Sequence, residues 1–198
     1  MTSTEIVIAG FGGQGVLLAG KVLAQAGLGF GLHVTWLPSY GPEMRGGTAN
    51  VIVCLSSEPI ASPLVTTPQT LLALNRPSLD RFAPDVKPGG MIIINSSLVK
   101  MDPDRDDCSV VMLGAREIAR EAGNDQASNL AMLGALVGTT GVVPEENVIR
   151  AIEKEFAGRK ERFVPSNIAA FLAGAARGRS SELATSTEEI SATRGGEG

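Results

Sequence analysis

Residues 6–18 read Ile6-Val7-Ile8-Ala9-Gly10-Phe11-Gly12-Gly13-Gln14-Gly15-Val16-Leu17-Leu18. A β-branched apolar run leads into a cluster of glycines, and an apolar, alanine-rich segment follows at once. This order predicts a buried strand, a tight turn and a helix. The glycines fit the G-x-G-x-x-G pattern of a turn that binds dinucleotides. The stretch therefore predicts that the chain adopts an α/β fold.

The glycine turn has the composition of a phosphate-binding site. We expect Gly10 to form the sharp turn, Gly12 to let the main chain approach a phosphate, and Gly15 to let the helix pack closely on the strand. The free N–H groups at the helix start, with the positive end of the helix dipole, would then face an anion. Glycine-rich turns also occur simply to pack a helix on a sheet, so both interpretations stay open.

The segment after the first helix argues against NAD in its usual pose. An NAD-binding fold carries an acidic residue about 20 residues after the glycines, where it holds the ribose. The second predicted strand, residues 33–37, ends in Pro38-Ser39-Tyr40 and contains no acid. The first acid after it is Glu43. The turn is therefore predicted to bind a phosphate or a partner rather than NAD.

Composition limits the class of protein. The chain has 198 residues, 43% of them hydrophobic, with 24 glycines and a formal net charge of −4. We expect one domain over residues 1–178, and a disordered tail over residues 179–198, where Ser, Thr, Glu and Gly dominate. The charge indicates no nucleic acid partner, and no apolar run is long enough for a membrane span. Without a signal-peptide pattern, we expect a cytoplasmic protein.

The chain offers few reactive side chains. Its two cysteines, Cys54 and Cys108, stand in apolar runs and are predicted to be buried thiols. They cannot supply the four thiolates of an iron–sulfur cluster. The single histidine, His33, opens a strand and has no companion at metal-ligand spacing. We predict no catalytic residue and no metal ligand in this chain.

The pattern along the chain predicts a three-layer Rossmann-like sandwich with a mostly parallel, mixed sheet. A hairpin is expected near Pro59, because the three residues before it are too few for a crossover helix. The first two strands are expected to pair. Strands are predicted over residues 5–9, 33–37, 48–55, 71–74, 91–95 and 108–113, and helices over 13–29, 115–122, 129–139, 144–156 and 166–176.

A second glycine-containing loop follows the second strand. It reads Pro38-Ser39-Tyr40-Gly41-Pro42-Glu43-Met44-Arg45-Gly46-Gly47. Arg45 could hold a phosphate or carboxylate in bidentate fashion, and Tyr40 and Gln14 offer a ring and an amide. Alternatively, Arg45 pairs with an acid, its own Glu43 or a partner's, and Tyr40 packs in an interface. The candidate ligand-binding residues are Gly10, Gly12, Gly13, Gln14, Gly15, Ser39, Tyr40, Arg45, Gly46 and Gly47.

The two loops together resemble the gamma subunit of 2-oxoacid:ferredoxin oxidoreductases. The pair formed by G-x-G-G-Q-G and S-Y-G-x-E-x-R-G-G is far more specific than either half. The resemblance extends from Glu5 to Gly174, with one departure at Pro68-Gln69, where such chains commonly read Pro-Asp. Further matches are Ser62-Pro63, Lys87-Pro88-Gly89-Gly90, Asn95-Ser96-Ser97, Asn129 with Leu133-Gly134-Ala135, and Asn167 with Ala170-Phe171.

The resemblance implies a multi-subunit enzyme that oxidatively decarboxylates a 2-oxoacid with coenzyme A, giving an acyl-CoA, CO2 and reduced ferredoxin. It implies alpha, beta and delta partner subunits, which would carry thiamine diphosphate and the iron–sulfur clusters. Ferredoxin would bind to the assembled complex. For this chain it implies coenzyme A, held by the amides of residues 12–15 and by Arg45. The sequence of the second loop is most similar to that of members that act on 2-oxoglutarate or on branched-chain 2-oxoacids such as ketoisovalerate. We favour 2-oxoglutarate over pyruvate.

Two other hypotheses stay open. The glycine pattern alone would fit a free-standing oxidoreductase that uses a nicotinamide or flavin nucleotide. The two loops could instead be purely architectural, pressed against partner subunits with no small-molecule ligand.

Overall fold

A computed structural model describes residues 3–40 and 47–194, with side chains for residues 3–39 and 47–180. Residues up to 113 combine all the described strands with two helices, and the other described helices follow. The strands are β1 (Ser3–Phe11), β2 (His33–Tyr40), β3 (Thr48–Ser56), β4 (Thr70–Ala73), β5 (Met91–Asn95) and β6 (Ser109–Leu113). The helices are α1 (Val16–Gly29), α2 (Arg76–Phe82), α3 (Ala115–Glu121), α4 (Ser128–Thr140), α5 (Glu145–Glu155) and α6 (Val164–Arg194).

The described strands form a six-stranded sheet in the order β2-β3-β1-β4-β5-β6. Strand β1 is parallel to β4, and β4, β5 and β6 continue in parallel. Strand β3 runs antiparallel to both of its neighbours, β1 and β2. The mixed α/β fold predicted from the sequence is therefore confirmed.

Two details of the predicted sheet are wrong. Strands β1 and β2 do not pair, because β3 lies between them and α1 carries the chain across it. No hairpin forms near Pro59 either. Residues 57–69 contain no strand, and prolines at positions 59, 63 and 68 cannot donate to a ladder. The antiparallel pairings among the described strands are those of β3 with β1 and with β2.

Both faces of the sheet are covered around β1. Its side chains alternate, with Ile6 and Ile8 in the larger core and Val7 and Ala9 in the smaller one. The larger core holds α1 and α3–α6, whereas the smaller one holds Leu79 of α2. Strand β1 is therefore almost wholly buried, and its carboxyl end places the glycine turn at one edge of the sheet.

Helices α4 and α6 cross at unusually short range. A Cβ atom added to Gly134 would lie 2.0 Å from the main-chain oxygen of Phe171, and one added to Gly174 would lie 2.0 Å from that of Ala131. Gly138 and Gly178 continue the same contact along the two helices. These glycines thus let the two helix backbones touch, which fixes the position of α4 against α6.

Helix α6 extends into the carboxyl-terminal segment and continues to Arg194. The disordered tail expected over residues 179–198 stays a prediction. No glycine or proline occurs between residues 179 and 194, so nothing in this stretch interrupts a helix that has already begun. Residues 195–198 lie outside the described part, and the domain boundary at 178 stays a prediction. None of the described helices has the length and apolar character that crossing a membrane requires.

Candidate functional site

The glycine turn joins the end of β1 to the start of α1. The N–H of Gln14 donates to the oxygen of Phe11 at 3.1 Å, which closes the turn. Gly13 and Gly15 have φ angles of 96° and 76°, in the left-handed region that favours glycine. Helix α1 has no side-chain cap and no acid in its first turn. Its first N–H groups therefore have no intrahelical acceptor and are available to an anion.

The turn is held by the side chain of Gln14. Its Oε1 accepts from the N–H of Phe11 at 2.6 Å and from Nδ2 of Asn75 at 2.9 Å. Gly10 leaves space for this side chain, because a Cβ atom there would lie 2.7 Å from the same oxygen. Gly10 thus lies within β1 and makes room for the Gln14 side chain, rather than forming a sharp turn. The amide oxygen of Gln14 joins the end of β1 to the residue that follows β4, and the contact of Gln14 with a ligand stays a prediction.

Asn75 is a residue that the sequence analysis missed. It is 4% exposed, donates to Gln14, and accepts from the N–H of Ser78 as the N-cap of α2. The sequence Asn75-Arg76-Pro77 carries a signal for the capping role, since asparagine followed by proline in the first turn is typical of a helix start. Nothing in the sequence points to its contact with Gln14.

Asn129 fixes the other side of the turn. Its Nδ2 donates to the oxygen of Gly15 at 3.1 Å from the first turn of α4. A Cβ atom on Gly15 would lie 2.4 Å from that nitrogen, so this glycine accommodates α4. Asn129, which the sequence analysis names only as a match to the family, therefore braces the turn from α4.

The second loop reaches the glycine turn through β3. The N–H of Gly12 donates to the oxygen of Gly47 at 2.9 Å, just before β3 pairs with Phe11. Ser39 is exposed on the edge strand β2 and, like Tyr40, belongs to its ladder with β3. The predicted neighbourhood of the two loops holds at Gly12 and Gly47, although not because β1 and β2 pair. Arg45, Gly46 and the Tyr40 side chain lie outside what is described.

Two clefts flank the glycine turn. The first, of about 610 Å³, lies on the β4–β5 side between the turn and the starts of α3 and α4. The second, of about 630 Å³, lies on the β2–β3 side and is lined mainly by apolar groups, including the half-exposed Trp36. Both volumes lie in the range of small-molecule sites, about 300–1,000 Å³.

The first cleft is the more polar of the two. Asn95 at the end of β5 and Asn129 on α4 are 4% and 3% exposed, and both line it. Oδ1 of Asn95 accepts from the N–H of Ser97 at 3.2 Å, so its Nδ2 is the free donor. Arg116 at the start of α3 contributes a cation. The sequence matched Asn95 without a role and did not single out Arg116, because no local pattern marks either.

Several ionisable groups have pKa values shifted from the ordinary range. The Ser97 hydroxyl, 2.5 Å from Glu117, lowers the pKa of that carboxyl. Burial raises the pKa of the Cys54 and Cys108 thiols, although a hydrogen bond to Thr35 opposes the shift at Cys54. Cys54 is buried as predicted, whereas Cys108 is only half-buried.

In residues 3–40 and 47–194, no group of three or more acidic, histidine or cysteine side chains is placed to hold a metal.

The comparison with protein families decides the assignment. The model of the family described as pyruvate ferredoxin/flavodoxin oxidoreductase matches residues 5–177. The chain belongs to this family. The family resemblance identified from the two loops is thereby confirmed over nearly the whole described domain.

Two curated relatives come from Methanothermobacter species. The ketoisovalerate oxidoreductase subunit VorA of Methanothermobacter thermautotrophicus is 46% identical over 86% of this chain, but the match covers 35% of VorA. This chain thus spans about a third of the length of VorA. The 2-oxoglutarate synthase subunit KorC of Methanothermobacter marburgensis is 39% identical over 86% of this chain and 94% of KorC.

Solved structures have the same fold. The gamma subunit of a keto/oxoacid ferredoxin oxidoreductase from Geobacter sulfurreducens aligns with a TM-score of 0.76 and 32% identity, covering 91% of this chain and 99% of that one. A 2-oxoglutarate:ferredoxin oxidoreductase from Magnetococcus marinus, with 2-oxoglutarate, coenzyme A and succinyl-CoA bound, aligns with a TM-score of 0.82 and 24% identity. That alignment covers 91% of this chain and 32% of the other, and it shows the fold alone.

Proposed function

We propose that this chain is the gamma component of a 2-oxoacid:ferredoxin oxidoreductase. The assembled enzyme would convert a 2-oxoacid and coenzyme A to an acyl-CoA and CO2, with the electrons passing to ferredoxin. The observation that carries the proposal is the family match over residues 5–177, together with a gamma subunit of 32% identity that aligns over almost its whole length. Alpha, beta and delta subunits would supply thiamine diphosphate and the iron–sulfur clusters.

The part proposed for this chain is to hold a phosphate group of coenzyme A at the glycine turn. The residues present fit such a group, because the start of α1 has neither a side-chain cap nor an acid. The Gln14–Asn75 and Gly12–Gly47 hydrogen bonds preorganise the turn. Residues 12–15 and the second loop, with Ser39, Tyr40, Arg45, Gly46 and Gly47, form the proposed site.

Arg45 separates this proposal from its architectural rival. If its guanidinium holds a phosphate, Arg45→Ala weakens coenzyme A binding by about 1.5–3 kcal/mol, the range for a charged hydrogen bond, and leaves the complex assembled. If both loops only contact partner subunits, the same change releases subunits and leaves the affinity for coenzyme A unaltered. Calorimetry and size-exclusion chromatography of the reconstituted complex measure the two quantities separately.

The 2-oxoacid is proposed to be 2-oxoglutarate, because of the sequence of the second loop and the match to KorC, which covers 94% of that subunit. Ketoisovalerate is the second candidate, since VorA has the higher identity, 46%. The reconstituted complex should be assayed with 2-oxoglutarate, ketoisovalerate and pyruvate, and the ratio of kcat/KM values decides between them.

The test of the whole proposal is reconstitution. The chain alone should not decarboxylate any 2-oxoacid, and coenzyme A-dependent ferredoxin reduction should appear only with the partner subunits. Turnover by the chain alone would refute the proposal. A thermal-shift comparison of NADH, NADPH, FAD and coenzyme A tests the rival free-standing oxidoreductase, because a ligand at 100 times its Kd adds about 2.7 kcal/mol of stability.

A further inference from the structure

The two edges of the sheet differ in how they are protected. Among the described strands, β2 forms one edge and β6 forms the other. The outer main-chain groups of an edge strand have no ladder partner, and proteins block such edges with prolines or charged side chains. Strand β2 contains Pro38, which has no N–H to donate to a further strand. Strand β6, Ser109-Val110-Val111-Met112-Leu113, contains neither a proline nor a charged residue.

The side chains of β6 leave apolar surface uncovered. Val111 and Leu113 are buried in the larger core, whereas Met112 is 41% exposed. Val110 is only partly buried, against the smaller core. Alternate side chains of a strand point to opposite faces, so Val110 and Met112 lie on the same face of the sheet. A further strand beside β6 would cover both side chains and pair with the open main-chain groups.

Exposed acidic residues precede β6. Asp104 and Asp106 are exposed in the segment that leads into the strand. Arg105, which lies between them, pairs with Asp107 at 2.6 Å. Within the part of the chain that the structure describes, Asp104 and Asp106 form no salt bridge of their own. The segment before the open edge therefore presents negative charge to a partner.

Acidic residues also follow β6. Glu117 and Glu121 of α3 line a recess of about 390 Å³ together with Met112, and Arg177 of α6 lines the same recess. Glu117 accepts a hydrogen bond from Ser97. Glu121 is exposed and forms no salt bridge with another described residue. Acidic side chains therefore lie beyond both ends of the open strand.

These charges select the partner. An antiparallel pairing of β6 with the β6 of a second copy would set the acids before one strand beside the acids after the other. Like charges that face each other are destabilising, so the edge is poorly suited to self-association. Complementary charges speed association and fix the register of two surfaces. The edge therefore suits an extended segment that has apolar side chains in the middle and basic side chains at its ends.

We infer that the open edge of β6 binds an extended, basic segment of a partner subunit, which adds a further strand to the sheet. Apolar side chains of that segment would cover Val110 and Met112, and its lysine or arginine side chains would face Asp106 and Glu121. The inference rests on the proposed function, because the assembled enzyme supplies the partner subunits.

Hydrogen–deuterium exchange measured by mass spectrometry tests the strand pairing directly. The full chain alone is compared with the reconstituted complex. We expect the amides of β6 that point away from β5 to exchange at least about 10-fold more slowly in the complex, because they gain ladder partners. Strand β1, which is paired on both sides, is the internal reference and should exchange slowly in both states.

Two variants test the chemistry of the edge. The double variant Asp106→Asn/Glu121→Gln removes two negative charges, and Glu153→Gln, at an exposed acid of α5, is its control. Met112→Lys places a positive charge on the edge, and Leu28→Lys, at a side chain that is 61% exposed, is its control. Urea unfolding verifies that each chain is folded.

Surface plasmon resonance on immobilised partner subunits measures the effect. We expect the double variant to associate about 5-fold or more slowly at low salt, with a weaker dependence of the rate on salt. Met112→Lys should raise Kd about 10-fold or more, because it adds a cation that faces a basic segment. Both controls should bind as the wild type does.

Three results overturn the inference. One is an active complex in which β6 exchanges as fast as in the chain alone, and another is unchanged binding of both edge variants; each leaves the proposed function intact. The third is a dimer of the chain alone, measured by light scattering, that Met112→Lys dissociates, because it assigns the edge to a second copy. If no partner subunit binds and no coenzyme A-dependent ferredoxin reduction appears, the proposed function fails and the inference fails with it.

Discussion

Replacing Gln14 separates the stability of the glycine turn from its affinity for anions. Gln14→Ala removes one oxygen that accepts from the N–H of Phe11 at 2.6 Å and from Nδ2 of Asn75 at 2.9 Å. Each lost hydrogen bond costs about 0.5–1.5 kcal/mol, and stranding a buried donor raises that cost. Because Asn75 is 4% exposed, we expect the free energy of unfolding to fall by about 2–3 kcal/mol.

The companion variant Gln14→Glu keeps an acceptor for both donors. Its carboxylate also lies beside the start of α1, where a negative charge stabilises a helix by about 0.3–1 kcal/mol. We therefore expect near wild-type stability at pH 7. The same charge repels a phosphate at the turn, so coenzyme A should bind at least about 10-fold more weakly, which corresponds to 1.4 kcal/mol.

Urea unfolding followed by far-UV circular dichroism, and calorimetric titration with coenzyme A, measure the two effects. The reasoning is refuted if Gln14→Ala unfolds at the same urea concentration as the wild type. It is refuted for the ligand alone if Gln14→Glu binds coenzyme A with unchanged affinity.

Three further predictions concern the helices and the ionisable groups. Gly134→Ala should lower the free energy of unfolding by about 2 kcal/mol, since overpacking against the fixed main chain of α6 outweighs the gain of about 1 kcal/mol in helix propensity, whereas the control Gly29→Ala, with its nearest atom at 3.4 Å, should be neutral or stabilising in urea unfolding. The lowered pKa of Glu117 stabilises the folded chain above the pKa of the unfolded state, and this contribution is lost as pH falls through the folded pKa. Ser97→Ala should raise the pKa of Glu117 toward its ordinary value in an NMR titration, and an unchanged pKa would contradict the assigned cause. The raised pKa of Cys54 keeps its thiol protonated, so iodoacetamide at pH 8 should modify it more slowly in the native chain than in urea, as measured by mass spectrometry.

The sequence predicted those features that depend on neighbours along the chain. The apolar run at residues 6–9 and the glycines after it predicted β1, the turn and α1, and the run at residues 91–95 predicted β5 with the bounds that the structure has. The family also followed from two short sequence motifs, because the two loops are specific as a pair. Hydrophobic periodicity and turn chemistry are local, so they can be read from a single sequence.

The sequence could not predict what depends on distant partners. The place of β3 between β1 and β2 is a choice of strand order that periodicity does not encode. The amide of Gln14 suits a ligand-binding residue, and only the fold shows that Asn75 lies beside it. Gln69, which departs from the family pattern, holds the amino end of β1, where its side chain accepts from the N–H of Glu5 and donates to the oxygen of Ser3. This position lies at the end of the strand opposite to the turn.

The supports of the glycine turn have a consequence for engineering. The residues that hold it from three directions, Gly47, Asn75 and Asn129, lie far from the turn and from one another in the sequence. A hexapeptide Gly-Phe-Gly-Gly-Gln-Gly grafted onto another α/β protein would bring the bare amides without the braces that aim them. Transfer of the anion site to a new scaffold therefore requires moving Gly47 with β3, the N-cap Asn75 with α2 and the first turn of α4 as a set.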